Sequence, residues 1–104
     1  MRSKLTLAVA LLVLADPIAD AAIAPVRLDA PVTPDEDLVV VGWGATVKAS
    51  IPPARQHRTG VRVTHVGPDT HQYGAGELGD KEFIASESVC TGDSGGPAFD
   101  STTH

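Results

Sequence analysis

Cys90-Thr91-Gly92-Asp93-Ser94-Gly95-Gly96-Pro97 is the stretch on which the reading of this chain turns. A serine sits between glycines, Gly92 two positions before it and Gly95 and Gly96 directly after, and Pro97 closes the run. Glycine adopts backbone conformations that a Cβ forbids, and it lets a ligand come close to the main chain. A hydroxyl on such a turn, beside N–H groups that converge on one point, has the layout of acyl transfer. Ser94 would attack a carbonyl, and the N–H groups of Gly92 and Ser94 would hold the oxyanion that forms. Gly-Asp-Ser-Gly by itself also suits a plain surface turn, but the eight residues together are far more particular.

The octet resembles the nucleophile loop of the trypsin-like (chymotrypsin-fold) serine proteases, whose triad is the general template for this chemistry. Further landmarks follow in the family's order. Val39-Val40-Val41-Gly42-Trp43-Gly44-Ala45-Thr46 resembles the strand that begins the family's second barrel, and Ala24-Pro25-Val26-Arg27-Leu28 resembles the segment between the barrels. The resemblance implies an all-β chain, part of a chymotrypsin-like double β-barrel and mainly an incomplete second (C-terminal) barrel. A family member needs about twice the 104 residues present, so a partial chain, truncated before the last strands, is expected.

The resemblance also implies roles. Ser94 is the expected nucleophile, Gly92 and Ser94 form the oxyanion hole, and Asp93, Gly95 and Gly96 make up the supporting loop. In relatives the aspartate accepts a buried N-terminal ammonium, which this chain offers no segment to supply. Ser88 falls at the base of the primary specificity pocket and is neutral, which implies an uncharged preferred side chain. Cys90 matches a cysteine that pairs with one on a later strand. As the single cysteine of the chain it is expected to be a free thiol, and it leaves no thiolate metal site.

A serine hydroxyl needs an adjacent base to act as a nucleophile. The family's histidine precedes its aspartate in the first barrel, and that aspartate's position falls on Ala8. The histidines present, His57, His65, His71 and His104, all lie C-terminal to where the base belongs and read as surface or strand-end residues. Asp16 and Asp20 lie past the apolar run and read as turn residues, Asp16 through the Asp-Pro step. Two functions follow. The first is a secreted serine endopeptidase by descent, hydrolysing peptide bonds through an acyl-enzyme on Ser94 and incomplete as this chain. The second is a non-catalytic pseudoprotease fragment or binding module.

Composition narrows the partners. Net charge is −5 and Lys and Arg are scattered, which excludes a nucleic-acid surface and leaves a polypeptide substrate or protein partner, with no cofactor. The 42% apolar content, with ten glycines and eight prolines, suits a loop-rich β domain. Residues 1–24 contain a basic start and an apolar run from Leu5 to Ala15, too short for a stable membrane span. The family reading makes 1–24 an apolar strand buried on both faces. A signal peptide over 1–21, ending at Ala19-Asp20-Ala21, is the alternative.

Residues 25–104 then form the partial peptidase domain. Ala30 to Asp37 reads as an acidic surface loop and Leu38 to Trp43 as a β-branched strand, and the resemblance implies that Trp43 packs in the core. Pro52-Pro53 marks a loop, and Arg55, His57 and Arg58 form a basic surface patch. Gly60 to Gly67 alternates with Val61 and Val63 on one face. Asp69 to Lys81 reads as a long polar loop, and Glu82 to Ala85 as a short strand. Strand edges left without neighbours would invite aggregation.

Overall fold

The structure is a computed structural model that describes residues 10–74, 76–87 and 89–102. It is all-β, with no helix among the described residues. In chain order the strands are β1 (Asp37–Gly42), β2 (Gln56–Val66), β3 (Asp69–Tyr73), β4 (Gly76–Leu78), β5 (Phe83–Ala85) and β6 (Ala98–Asp100). Four of them form an antiparallel sheet in the order β5-β2-β1-β6, and β3 and β4 pair separately as a hairpin. The larger sheet is open, and both of its edge strands are only three residues long. Short edges limit the backbone available to template another chain.

β1 reads as an unbroken apolar run because it lies between β2 and β6 and is covered on both faces. Leu38, Val39 and Val41 are all buried. On one face Leu38 joins Val61 and Val63 of β2 in the core, with Val32, Val40, Val66 and Ala85 packed around them. On the other, Val39 stands opposite Phe99 of β6.

A bulge in β2 decides which β2 side chains look which way. Leu38 pairs with Val61 and Val40 pairs with Arg58, so two steps along β1 match three along β2. Gly60 sits in that extra step with φ +73°, a conformation that L side chains avoid. The inserted residue reverses the alternation. Arg58, an even position, therefore shares a face with the odd core positions Val61 and Val63, and His57 opposite Val41 faces the other way.

Two sequence expectations need correction. The apolar stretch expected as a doubly buried strand forms no strand over residues 10–24, and Leu11, Leu12 and Val13 are 85–90% exposed. A strand of that kind needs a neighbour on each side. Here both edges of β1 are occupied, by β2 and β6, and the segment pairs with neither β5 nor β6. Residues 1–9, including Ala8, lie outside the described residues.

The expected loop from Asp69 to Lys81 contains the β3–β4 hairpin. Polar contacts hold it in place of an apolar face. Tyr73 donates its hydroxyl to Asp69 at 2.6 Å, Gln72 donates to Glu77 at 2.9 Å, and the rings of His65 and His71 pack on Tyr73. The segment ahead of β1 is tied down by Arg27, which binds the Glu36 carboxylate and the carbonyls of Ala30 and Pro31.

Candidate active site

The octet folds as a loop docked on the end of β1. Val41 donates its N–H to the Pro97 carbonyl at 3.1 Å, and Ala45 donates to Thr91 at 2.9 Å. Inside the loop, Asp93 N–H bonds to Cys90 and Gly96 N–H to Asp93, two tight turns in succession. Gly92 and Gly95 take positive φ values of 100° and 80°, as those turns require.

Asp93 is the anchor. It is buried, and its carboxylate has a full set of donors. Oδ1 accepts the Gly44 N–H at 2.7 Å, and Oδ2 accepts the Cys90 N–H at 2.9 Å and Arg58 Nε at 2.8 Å. Arg58 is fixed in turn, donating from Nη2 to the carbonyls of Gly44 and Ala45, each at 3.0 Å. The Cys90 N–H, with the Gly44 N–H and the Arg58 guanidinium after it, holds the Asp93 carboxyl below the usual carboxylate range against the opposing effect of burial. The carboxylate occupies the space where a Cβ on Gly42 or Gly44 would stand, which is why a glycine lies on each side of Trp43.

With Asp93 turned inward, the next residue turns outward. Ser94 is exposed on the wall of a cleft of about 480 Å³. Gly92, Gly95, Gly96 and Pro97 line the same wall, and Val41, Trp43 and Phe99 form its apolar part. Arg55 and His57 complete the lining from the start of β2. Trp43, expected in the core, is 57% exposed and belongs to this cleft instead, because the adjoining glycine positions are filled by the Asp93 carboxylate rather than by packing around the indole.

The structure thus brings Ser94, Gly92, Asp93, Gly95 and Gly96 together. Ser88, the expected floor of the specificity pocket, lies outside the described residues, as does His104. Of the remaining histidines, His57 shares the cleft with Ser94, whereas His65 and His71 pack against Tyr73 at the hairpin. Asp16 and Asp20 are exposed and do not line the cleft. Cys90 is a free, exposed thiol. The basic patch at Arg55–Arg58 was expected to be plain surface. It divides instead, Arg58 reaching inward to Asp93 and Arg55 and His57 lining the cleft; alternation separates Arg58 from His57, and the Gly60 bulge puts Arg58 on the core face.

A family model described as Trypsin matches residues 2–103, and the chain belongs to the trypsin family. No match was found among curated proteins or among solved structures. Among the described residues no helix is long and apolar enough to cross a membrane, and no cluster of His, Cys, Asp and Glu is placed to hold a metal ion.

Proposed function

We propose that this chain carries the acylating half of a serine endopeptidase site, with Ser94 as nucleophile and the N–H groups of Gly92 and Ser94 as the oxyanion hole. The observation that carries this reading is the pairing of an inward, fully hydrogen-bonded Asp93 with an outward Ser94 on a cleft wall. A loop anchored that way supports a hydroxyl and N–H groups held in place, and stabilisation of a developing oxyanion demands donors that need not reorganise. The substrate is a polypeptide, in the extracellular setting usual for the family, with an uncharged side chain at the position that contacts Ser94.

His57 is the described histidine that supports a base role, because it faces the same cleft. A histidine base works well when a carboxylate orients it. The carboxylate among the described cleft residues is Asp93, and it is committed to Arg58. Acylation is therefore slow, and hydrolysis of the acyl-enzyme slower still. The test is labelling of the purified chain with a fluorophosphonate probe, with Ser94→Ala as control. Labelling that disappears in Ser94→Ala and falls in His57→Ala supports the reading. No labelling assigns the chain to the non-catalytic alternative, a binding module with an inherited loop.

A further inference from the structure

The cleft beside Ser94 has a charge that the chain as a whole does not. The protein carries a net charge of −5, yet the charged or basic residues lining the cleft are Arg55, His57 and Asp93. Asp93 contributes little field there, since its carboxylate is neutralised by Arg58 and by two backbone N–H groups. Arg55 and His57 are both exposed and are held by no ion pair to another described residue. Arg55 directly precedes β2 and His57 is the second residue of that strand, and both line the cleft. A guanidinium presents a planar fork of donors matched to a carboxylate, and its charge does not titrate away. The exposed ring of Trp43 and the side chains of Pro97 and Phe99 line the same cleft and offer an apolar surface.

From this arrangement we propose that the cleft binds peptides carrying a carboxylate close to the residue that contacts Ser94, with Arg55 as the selecting group. His57 supplies a second donor, and Trp43 packs on the neighbouring apolar side chain. The inference rests on the peptide-binding reading of the cleft and adds the substrate class to it. It leaves the residue that contacts Ser94 uncharged and places the acid at another position of the peptide. The carboxylate has two sources, an acidic side chain within a chain or the C-terminus of a chain.

Trp43 is the single tryptophan of the protein, which gives a binding readout independent of turnover. The experiment titrates the full-length Ser94→Ala chain with short peptides and follows Trp43 fluorescence. The peptides are acetyl-Ala-Leu-Glu-Ala-amide, its Gln and Lys counterparts, and acetyl-Ala-Leu-Ala with a free or an amidated C-terminus. The Glu peptide is expected to bind about tenfold more tightly than the Gln peptide, a preference of the size a charge-assisted contact gives. That preference disappears in Arg55→Ala and turns toward the Lys peptide in Arg55→Glu. A preference for the free over the amidated C-terminus, without one for Glu over Gln, assigns the site to chain ends. Equal affinities across the set, a preference that survives Arg55→Ala, or no binding of any peptide overturns the inference. Because Arg55 is exposed and has no ion-pair partner among the described residues, neither variant should alter the circular dichroism spectrum, and a changed spectrum in both would itself contradict the assignment of Arg55 to ligand rather than to structure. Fluorophosphonate labelling of the unsubstituted chain reports separately on Ser94, so labelling without peptide selectivity fails this inference alone.

Discussion

Arg58 on β2 and the buried Asp93 in the Cys90–Pro97 loop form a partly buried ion pair, Nε to Oδ2 at 2.8 Å, one residue away from Ser94. The pair joins residues 35 apart in sequence and ties the loop to the sheet. Removing one partner of a buried pair strands the other charge, which costs more than the pair itself was worth. Arg58→Ala is expected to lower the thermal midpoint by roughly 10 °C and to abolish labelling of Ser94. Arg58→Lys should recover only part of both, because one ammonium cannot reach Asp93 and also the carbonyls of Gly44 and Ala45. Calorimetry and labelling on the same samples check it. Full labelling in Arg58→Ala would show that the loop holds its shape without the pair.

Acid should unfold the protein from the loop outward. Asp93 is held below its ordinary range by the Cys90 N–H first, Asp69 by the Tyr73 hydroxyl first, and Glu36 by Arg27 first. Each folded-state pKa lies below the unfolded value of about 4. Their contribution is therefore complete above about pH 4 and is lost as pH falls through the lower folded values. Stability is expected to be level from pH 7 to about pH 5 and to drop steeply below pH 4. Asp93→Asn, less stable at pH 7, should show a shallower drop. Urea midpoints measured at several pH values decide the matter, and identical slopes for the two proteins would remove Asp93 from the account.

The strands with apolar signatures were legible in the sequence. Leu38 to Trp43 became β1, Glu82 to Ala85 became β5, and Val61 and Val63 share the core face as their alternation implied. The octet was legible as a loop around an outward serine. What was hidden depended on polar or long-range causes. The β3–β4 hairpin is held by Asp69, Tyr73 and the flanking histidines, which have no periodic apolar signal. The family resemblance placed Trp43 in the core, and only the Asp93 carboxylate lodged between Gly42 and Gly44 shows why it is not there. Arg58 looked like its neighbours Arg55 and His57. A one-residue bulge turned Arg58 to the core face, and Gly60 was the sole sign of it.

Gly60 gives a stability prediction of its own. A Cβ built there meets nothing within 4 Å, so any penalty comes from its φ of +73° and not from crowding. Gly60→Ala is expected to cost about 1 kcal/mol, measured as a shift in urea midpoint. Gly60→Asn should cost less, since asparagine visits this region more readily. A cost for Asn as large as for Ala would mean that something other than backbone conformation is at stake. A neutral Ala variant would mean that the bulge relaxes, and Arg58 would then lose its inward face.

Gly44 tests the link between packing and chemistry most directly. A methyl at this position would collide with both oxygens and the carbon of the Asp93 carboxylate, and the Gly44 N–H is also one of that carboxylate's donors. Neither group can give way cheaply, because Asp93 is fixed by Arg58 and by the Cys90 N–H. In Gly44→Ala the carboxylate must leave its site, and Ser94 moves with it. The expected result is loss of fluorophosphonate labelling by at least about tenfold, the order of effect seen when an oxyanion donor is removed. Gly74→Ala is the control, since a Cβ there meets nothing within 4 Å and its φ lies outside the left-handed region. It should label like the parent chain. Equal labelling of the two variants would show that Asp93 can move without disturbing Ser94, and the buried carboxylate would then serve stability alone.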